Sequence, residues 1–425
     1  MTIGQPSDAP RFCADPEVCV VGAGPQALAV VAHLVTARPG LRERIAVVDP
    51  SGAWLTTWRS QFERLQIDVL RSPSVHHPGV DPGALPQFIA DQRLPRSNLP
   101  YDPPLTDVFD SFCRDTIADL GLGALPLAAS VLSLDVEADG RTRVTTDAGE
   151  LSCRHVIWTG NTSTPIVPAA FTEVGDTSPQ VDLASSVDLR IVDRLDGTHV
   201  VIVGGGLTAG HLAMGARCRG ATVTLVTRRP IVQRDFDVEP GWLGPRNLDD
   251  FWAMSCPERR LDTARTARGG GSMPRWMLRR LRAEVEDGGL DLVVGEVTRA
   301  TVRRSGLRND VVVDVDGRRI IADLAWLATG TRADVRADAA LGRLVDEHVD
   351  GVPVVDSNLR VRGTDLFVAG RLATIALGPA AGNLWGARMA ARRICRAITG
   401  IDLDRDAVST IHPPHPGAGS TGGAA

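Results

Sequence analysis

Four apolar residues, Val18-Cys19-Val20-Val21, run without a polar break and stop at Gly22-Ala23-Gly24. Such a run reads as a strand buried on both faces. Behind it Ala27, Leu28, Val30, Val31 and Leu34 form an apolar helix pattern, and a second strand, Arg44 to Asp49, ends in an acid 27 positions after Gly22. Alternating segments follow from Ser130 to Glu137 and Thr142 to Thr146, joined by a turn at Ala138-Asp139-Gly140. A strand from Arg154 to Trp158 then runs into Thr159-Gly160.

The same plan repeats. His199-Val200-Val201-Ile202-Val203 leads into Gly204-Gly205-Gly206, a helix with Thr208, Ala209 and Gly210, and a strand from Thr222 to Val226. Strands are expected at Leu290 to Val294, Glu296 to Arg303, Asp310 to Val315 and Asp323 to Leu327, with a turn at Asp316-Gly317 and a close in Ala328-Thr329-Gly330. Repetition at this scale predicts an α/β protein with two Rossmann-like dinucleotide-binding domains, each carrying a β-meander. The strand Asp365 to Leu372 returns to the first, so the second is inserted in it. The expected divisions are 14–178 and 325–405 for the first domain, 185–324 for the second, and a disordered tail over 406–425, after a mobile lead-in from Met1 to Pro16.

Each small residue of the first turn has a task. Gly22 permits the tight strand-to-helix turn, Gly24 lets backbone approach a pyrophosphate, and Ala27 lets the helix lie close to the strand. The pyrophosphate would rest on the helix N-terminus, where free N–H groups favour negative charge. Asp49 suits ribose hydroxyls. The second turn offers Gly204, Gly206, Thr208 and Ala209, but its second strand ends in Thr227-Arg228-Arg229. Two guanidiniums there would attract a 2′-phosphate, as expected for NADPH over NADH, the alternative being a solvated turn. The assignment is FAD to the first domain and NADPH to the second. In the return segment Gly370 ends the strand Asp365 to Leu372, and Gly378, Asn383 and Leu384 lie in a following Gly/Ala-rich helix, aimed at the flavin or packed through its small residues.

Composition narrows the field. The net charge of −5 leaves no basic field for nucleic acid or an anionic membrane surface. No apolar run is long enough to span a bilayer, and no signal layout opens the chain, so a cytoplasmic location is expected. Seven widely spaced cysteines without a Cys-x-x-Cys support neither a disulfide framework, nor a metal site, nor a dithiol reductase. The segment Ser51 to Leu99 is irregular and rich in Pro, Trp and His, which marks it as functional. Within it, His76 and His77 suit either acid–base work or bonding to backbone. Trp242, Asn247 and Phe251 suit either a substrate pocket or a core.

Trp54, Gln66 and Arg71 stand twelve and then five residues apart, in Trp54-Leu55-Thr56-Thr57-Trp58 and Leu65-Gln66-Ile67-Asp68-Val69-Leu70-Arg71. With the two Gly-rich turns and the Ala-Thr-Gly close, this resembles the single-component flavin monooxygenases, and within them the lysine and ornithine N-hydroxylases of siderophore pathways. The resemblance implies that Trp54 and Gln66 lie at the flavin, and that Arg71 replaces a lysine as the cation beside the flavin C4a–N5 edge. It implies that Thr329 and Gly330 belong to the family's Ala-Thr-Gly signature. Arg71, Gln66 and His76 are the candidate catalytic residues. The family's Phe-x-Gly-x-x-x-His fingerprint for Baeyer–Villiger chemistry is absent, and 234–260 does not follow the ornithine-binding pattern.

The implied reaction is amine N-hydroxylation. NADPH reduces FAD, O2 gives a C4a-hydroperoxyflavin, and the amine of an amino acid or small amine attacks it. The competing reading is an NADPH-dependent flavin reductase or oxidase without oxygen insertion. Copies of the chain could assemble, but no heptad marks an interface.

Overall fold

The computed structural model describes residues 16–174, 178–305 and 308–403. The expected lead-in before Pro16 and the tail over 406–425 lie outside these residues.

Val18–Val21 is buried along its whole length and forms the centre of a five-stranded parallel sheet. Its neighbours are Ile45–Asp49 on one side and His155–Trp158 on the other, with Pro126–Ala128 and Leu366–Val368 at the edges. The chain leaves Val21 between strands that come from opposite directions of the sheet order. A crevice opens at such a switch point, outside the carboxyl ends of the strands. The helix Pro25–Ala37 covers this sheet beside the C-terminal helix Leu384–Thr399.

The second parallel sheet repeats the arrangement. His199–Val203 is central, flanked by Thr222–Thr227 and Leu324–Leu327, with Leu290–Val294 and Val181–Leu183 at the edges. All of its strands fall between His155–Trp158 and Leu366–Val368 in the chain. It takes in Val181–Leu183 and Leu324–Leu327, beyond the expected limits of 185 and 324. Each sheet has an antiparallel three-stranded companion, Val131–Val136 with Thr142–Thr146 and Gly149–Cys153, and Val297–Ser305 with Arg308–Val315 and Arg318–Ala322.

Several segments are more regular than the sequence pattern suggests. Helices form at Thr56–Arg64 and Ala84–Asp91 inside the segment read as irregular, and at Pro245–Ala253 and Pro257–Arg268 in 234–275, the insert that follows the strand Thr222–Thr227. The return segment is less regular. Gly378 to Gly382 form a turn, and the helix starts after Asn383. Between the sheets, Ser163–Pro165 pairs antiparallel with Thr331–Ala333, so two passages of the chain run side by side. No helix among the described residues is long and apolar enough to cross a membrane.

Candidate active site

The first Gly-rich turn has the shape that the sequence demands. Gly22 holds φ at +100°, and a Cβ there would lie 2.8 Å from Thr159 Oγ1. Around Gly24, by contrast, a Cβ would meet nothing within 4 Å. Gly24 caps Pro25–Ala37 with no side chain on the free N–H groups, and Ala27 is fully buried beneath. Asp49 stands beside this cradle, with Oδ2 accepting from Ala23 N at 3.0 Å and Oδ1 from Ser51 N at 2.9 Å. Its carboxylate is half-exposed and ties the loop to the strand end.

Gln26, which sequence reasoning passed over, joins this turn to the return segment. Its Nε2 donates to the Asn383 carbonyl at 3.3 Å, while its Oε1 is buried without a partner. Gly370, at φ +67°, leaves room for the Gln26 side chain 3.7 Å from its Cβ position. The helix Leu384–Thr399 begins at Asn383 without a side-chain cap, so its free N–H groups are open to an electron-rich ligand edge. The open cradle, the acid and the orphaned amide oxygen fit a dinucleotide with its ring near Asn383.

The second turn has the same form. Gly204 is at φ +152°, and a Cβ would lie 2.3 Å from the Ala328 carbonyl oxygen. Gly206 precedes Leu207–Cys218, again without a side-chain cap, and Ala209 is fully buried. Thr208 is half-buried, and Arg228 and Arg229 are exposed. Thr227 Oγ1 is buried with no partner at the strand end where nucleotides are read. This turn also fits a dinucleotide, except that the backbone of Gly271 lies against Gly206.

Two small adjoining clefts share Arg71, Pro73 and Phe236. The inner one is lined by His76, Asp237, Leu243, Asn383 and Trp385. The outer one is lined by Leu99, Tyr101, Asp235, Pro274 and Trp276. Tyr101 packs on Phe236 with ring centroids 4.8 Å apart. His76 is held neutral, with its pKa lowered to about 4 by burial and then by Arg388. His77 does not reach the cleft. Gly79 N donates to its Nδ1 at 3.1 Å, which leaves Nε2–H to donate to the Pro82 carbonyl at 3.3 Å.

Three residues of the Trp-Gln-Arg spacing take other places. Trp54 is 5% exposed, and its indole N–H donates to the Leu122 carbonyl at 2.9 Å, which places its side chain in the core of the first sheet. Gln66 is exposed, and its Oε1 accepts from Arg219 at 2.9 Å. The reason is its neighbours, for Leu65 and Ile67 pack into the core of the second sheet and carry the turn away from the first. Arg71 reaches the cleft but is not a free cation. Nε donates to the Asp235 carbonyl, Nη1 to Asp237 Oδ1 and the Ser272 carbonyl, and Nη2 to the Arg234 and Phe236 carbonyls and Ser272 Oγ. These acceptors occupy all five N–H groups of a guanidinium.

Other expected contacts move as well. Thr329 Oγ1 donates to the Ile166 carbonyl, and Gly330, at φ +84°, leads into the paired passages, so both serve the connection between the sheets. Gly378 packs under the insert, with its Cβ position 3.2 Å from Leu248. Phe251 is fully buried with Leu248, Val238 and Trp385, which settles it as core. Leu384 is half-buried in the first turn after Asn383.

The model of a family described as FAD-NAD(P)-binding matches residues 19–161. No curated protein matches the chain. Among solved structures, the cadaverine monooxygenase DfoA of the desferrioxamine pathway from Erwinia amylovora, bound to FAD, is 14% identical with a TM-score of 0.71. That likeness covers 92% of this chain and 96% of DfoA. The ornithine N-hydroxylase KtzI from Kutzneria sp. 744, with reduced FAD, NADP⁺ and L-ornithine, is 15% identical with a TM-score of 0.72, over 90% and 99% of the two chains. The chain shares their fold. It also resembles, at a TM-score of 0.59 and 16% identity, the bacillithiol disulfide reductase from Staphylococcus aureus, over 91% and 98% of the two chains.

Proposed function

We propose that the chain is an FAD- and NADPH-dependent monooxygenase that hydroxylates the nitrogen of an amino acid or small amine. The observation that carries this reading is the pair of Gly-rich turns reaching one cleft. The first reaches it through Gln26 and Asn383. The second reaches it through Gly206, Gly271 and Ser272, the last bonded to Arg71. The likeness to DfoA and KtzI supports the same assignment. In this reading the first domain is completed by the return segment, and the second is inserted in it.

Gly22, Gly24, Ala27 and Asp49 hold FAD at the first turn, with Gly370, Asn383 and Leu384 around its ring. Gly204, Gly206, Thr208, Ala209, Arg228 and Arg229 hold NADPH. Bound flavin supplies hydride acceptance and oxygen activation. The protein binds the amine, orients it and excludes water. Neutral His76 accepts a hydrogen bond from the amine N–H, which directs the nitrogen lone pair into the cleft. Leu243, Phe236 and Trp385 give the walls an apolar character that excludes water. Arg71 acts as the brace that keeps the insert over the cleft.

The test is isotopic. Holoprotein, NADPH and a panel of diamines and basic amino acids are incubated under ¹⁸O2, and products are weighed by mass spectrometry. A product carrying one ¹⁸O on nitrogen supports the reading. NADPH oxidation with no labelled product from any amine favours the flavin reductase or oxidase alternative.

A further inference from the structure

The cradle of the second Gly-rich turn is covered by the chain itself. Gly269, Gly270 and Gly271 leave the helix Pro257–Arg268 and cross the N-terminal end of Leu207–Cys218. The approach is very close. A Cβ on Gly271 would lie 2.6 Å from Gly206 N, 2.7 Å from Gly206 Cα and 2.9 Å from Gly205 C. Arg229, at the end of the neighbouring strand, reaches across and donates Nη2 to the Gly269 carbonyl. The Thr227 hydroxyl, in a residue 1% exposed, is left without a partner at the end of the same strand.

Helix capping accounts for only part of this. Gly269, at φ +63°, ends Pro257–Arg268 in the left-handed conformation typical of such ends, and its N–H donates to the Arg265 carbonyl. Capping does not require Gly270 at φ +80°, nor the missing side chain at Gly271. Both allow backbone to lie on the nucleotide turn under the Arg229 side chain.

We propose that Gly269–Gly271 is a strap latched by Arg229, and that a dinucleotide bearing a 2′-phosphate is the ligand that opens it. This rests on the reading of the second turn as the NADPH site. A pyrophosphate must approach the Gly206 end of the helix, where the Gly271 backbone now lies. Strap and pyrophosphate cannot share that place. Arg229 exchanges a neutral carbonyl for a phosphate, and charge-assisted bonds are roughly twice as strong as neutral ones. NADH offers Arg229 nothing in exchange. Its apparent affinity is therefore reduced by the fraction of molecules with the strap open. Preference for NADPH then comes from the latch as well as from direct contact with the phosphate.

The test measures NADP⁺ and NAD⁺ binding to oxidised full-length holoenzyme, wild type and Arg229→Ala. Arg229 is exposed, so its removal spares the core. A latch predicts opposite changes. Arg229→Ala weakens NADP⁺ but tightens NAD⁺ by about tenfold, since the strap is freed. Gly271→Ala, whose Cβ cannot fit against Gly206, tightens NAD⁺ with Arg229 still in place. Unchanged or weaker NAD⁺ binding in Arg229→Ala, with normal NADP⁺ binding in the wild type, overturns the strap while leaving the NADPH site standing. Wild-type protein that binds no NADP⁺ overturns both.

Discussion

The Arg71 guanidinium donates to the Asp237 carboxylate at 2.6 Å across 166 positions of the chain. The pair is largely buried, with the Arg71 side chain 14% exposed. Three backbone carbonyls of the same insert, at Arg234, Asp235 and Phe236, complete the grip. Arg71→Ala leaves these acceptors short of donors and should lower stability by roughly 2–4 kcal/mol. Arg71→Lys keeps the charge but has three donors on a single nitrogen, so it should recover less than half of the loss. Urea unfolding of the three proteins checks this, and a lysine variant as stable as the wild type would refute the brace.

Gly24 and Gly204 should respond differently to alanine. A Cβ on Gly24 meets nothing, so Gly24→Ala should leave the thermal unfolding of the flavin-free protein unchanged. It places a methyl where the pyrophosphate approaches, and flavin affinity should drop by about tenfold or more. A Cβ on Gly204 would strike the Ala328 carbonyl, so Gly204→Ala should destabilise the fold whether or not ligand is present. Flavin titration combined with calorimetry separates the two outcomes.

Stability should depend on four histidines in acid. His33, His76, His77 and His211 each have a pKa lowered to about 4, chiefly by burial. Their folded values lie below the unfolded value of about 6.5, so the unfolded chain binds more protons between the two. The contribution is fully present above about pH 6.5 and is lost as pH falls through 4. Urea midpoints at pH 7.5, 5.5 and 4.5 should therefore drop steadily. His76→Asn should flatten the slope, and an unaltered slope would show that His76 titrates normally.

His76 also serves as a probe of the cleft. Its replacement by Leu should leave NADPH reduction of the flavin within about twofold, while amine hydroxylation falls about tenfold or more. Stopped-flow reduction and product assays measure the two halves separately. Equal losses in both would place His76 in the general architecture and not at the amine.

Local steric demands were legible in the sequence, and long-range pairings were not. The turns at Gly22 and Gly204 follow from the residues on either side, as do the hairpin turns at Asp139-Gly140 and Asp316-Gly317. Trp54 lies in the core, Gln66 pairs with Arg219, and Arg71 is held by the carbonyls of 234–236 and by Asp237. Nothing local reveals that Leu65 packs into the second core, or that Arg71 meets Ser272 201 positions away. The link from Gln26 to Asn383 spans 357 positions and was equally hidden. Some signals were available but unread. Gly244-Pro245 and Cys256-Pro257 place proline at the first position of two of the unexpected helices, Pro245–Ala253 and Pro257–Arg268.

The most direct measurement follows NADPH consumed, hydroxylamine formed and peroxide released in one reaction, across a series of diamines and basic amino acids. N-hydroxylation predicts that at least one amine draws most of the NADPH into hydroxylamine, with peroxide falling in proportion. Peroxide equal to NADPH with every amine, and no hydroxylamine, would contradict it.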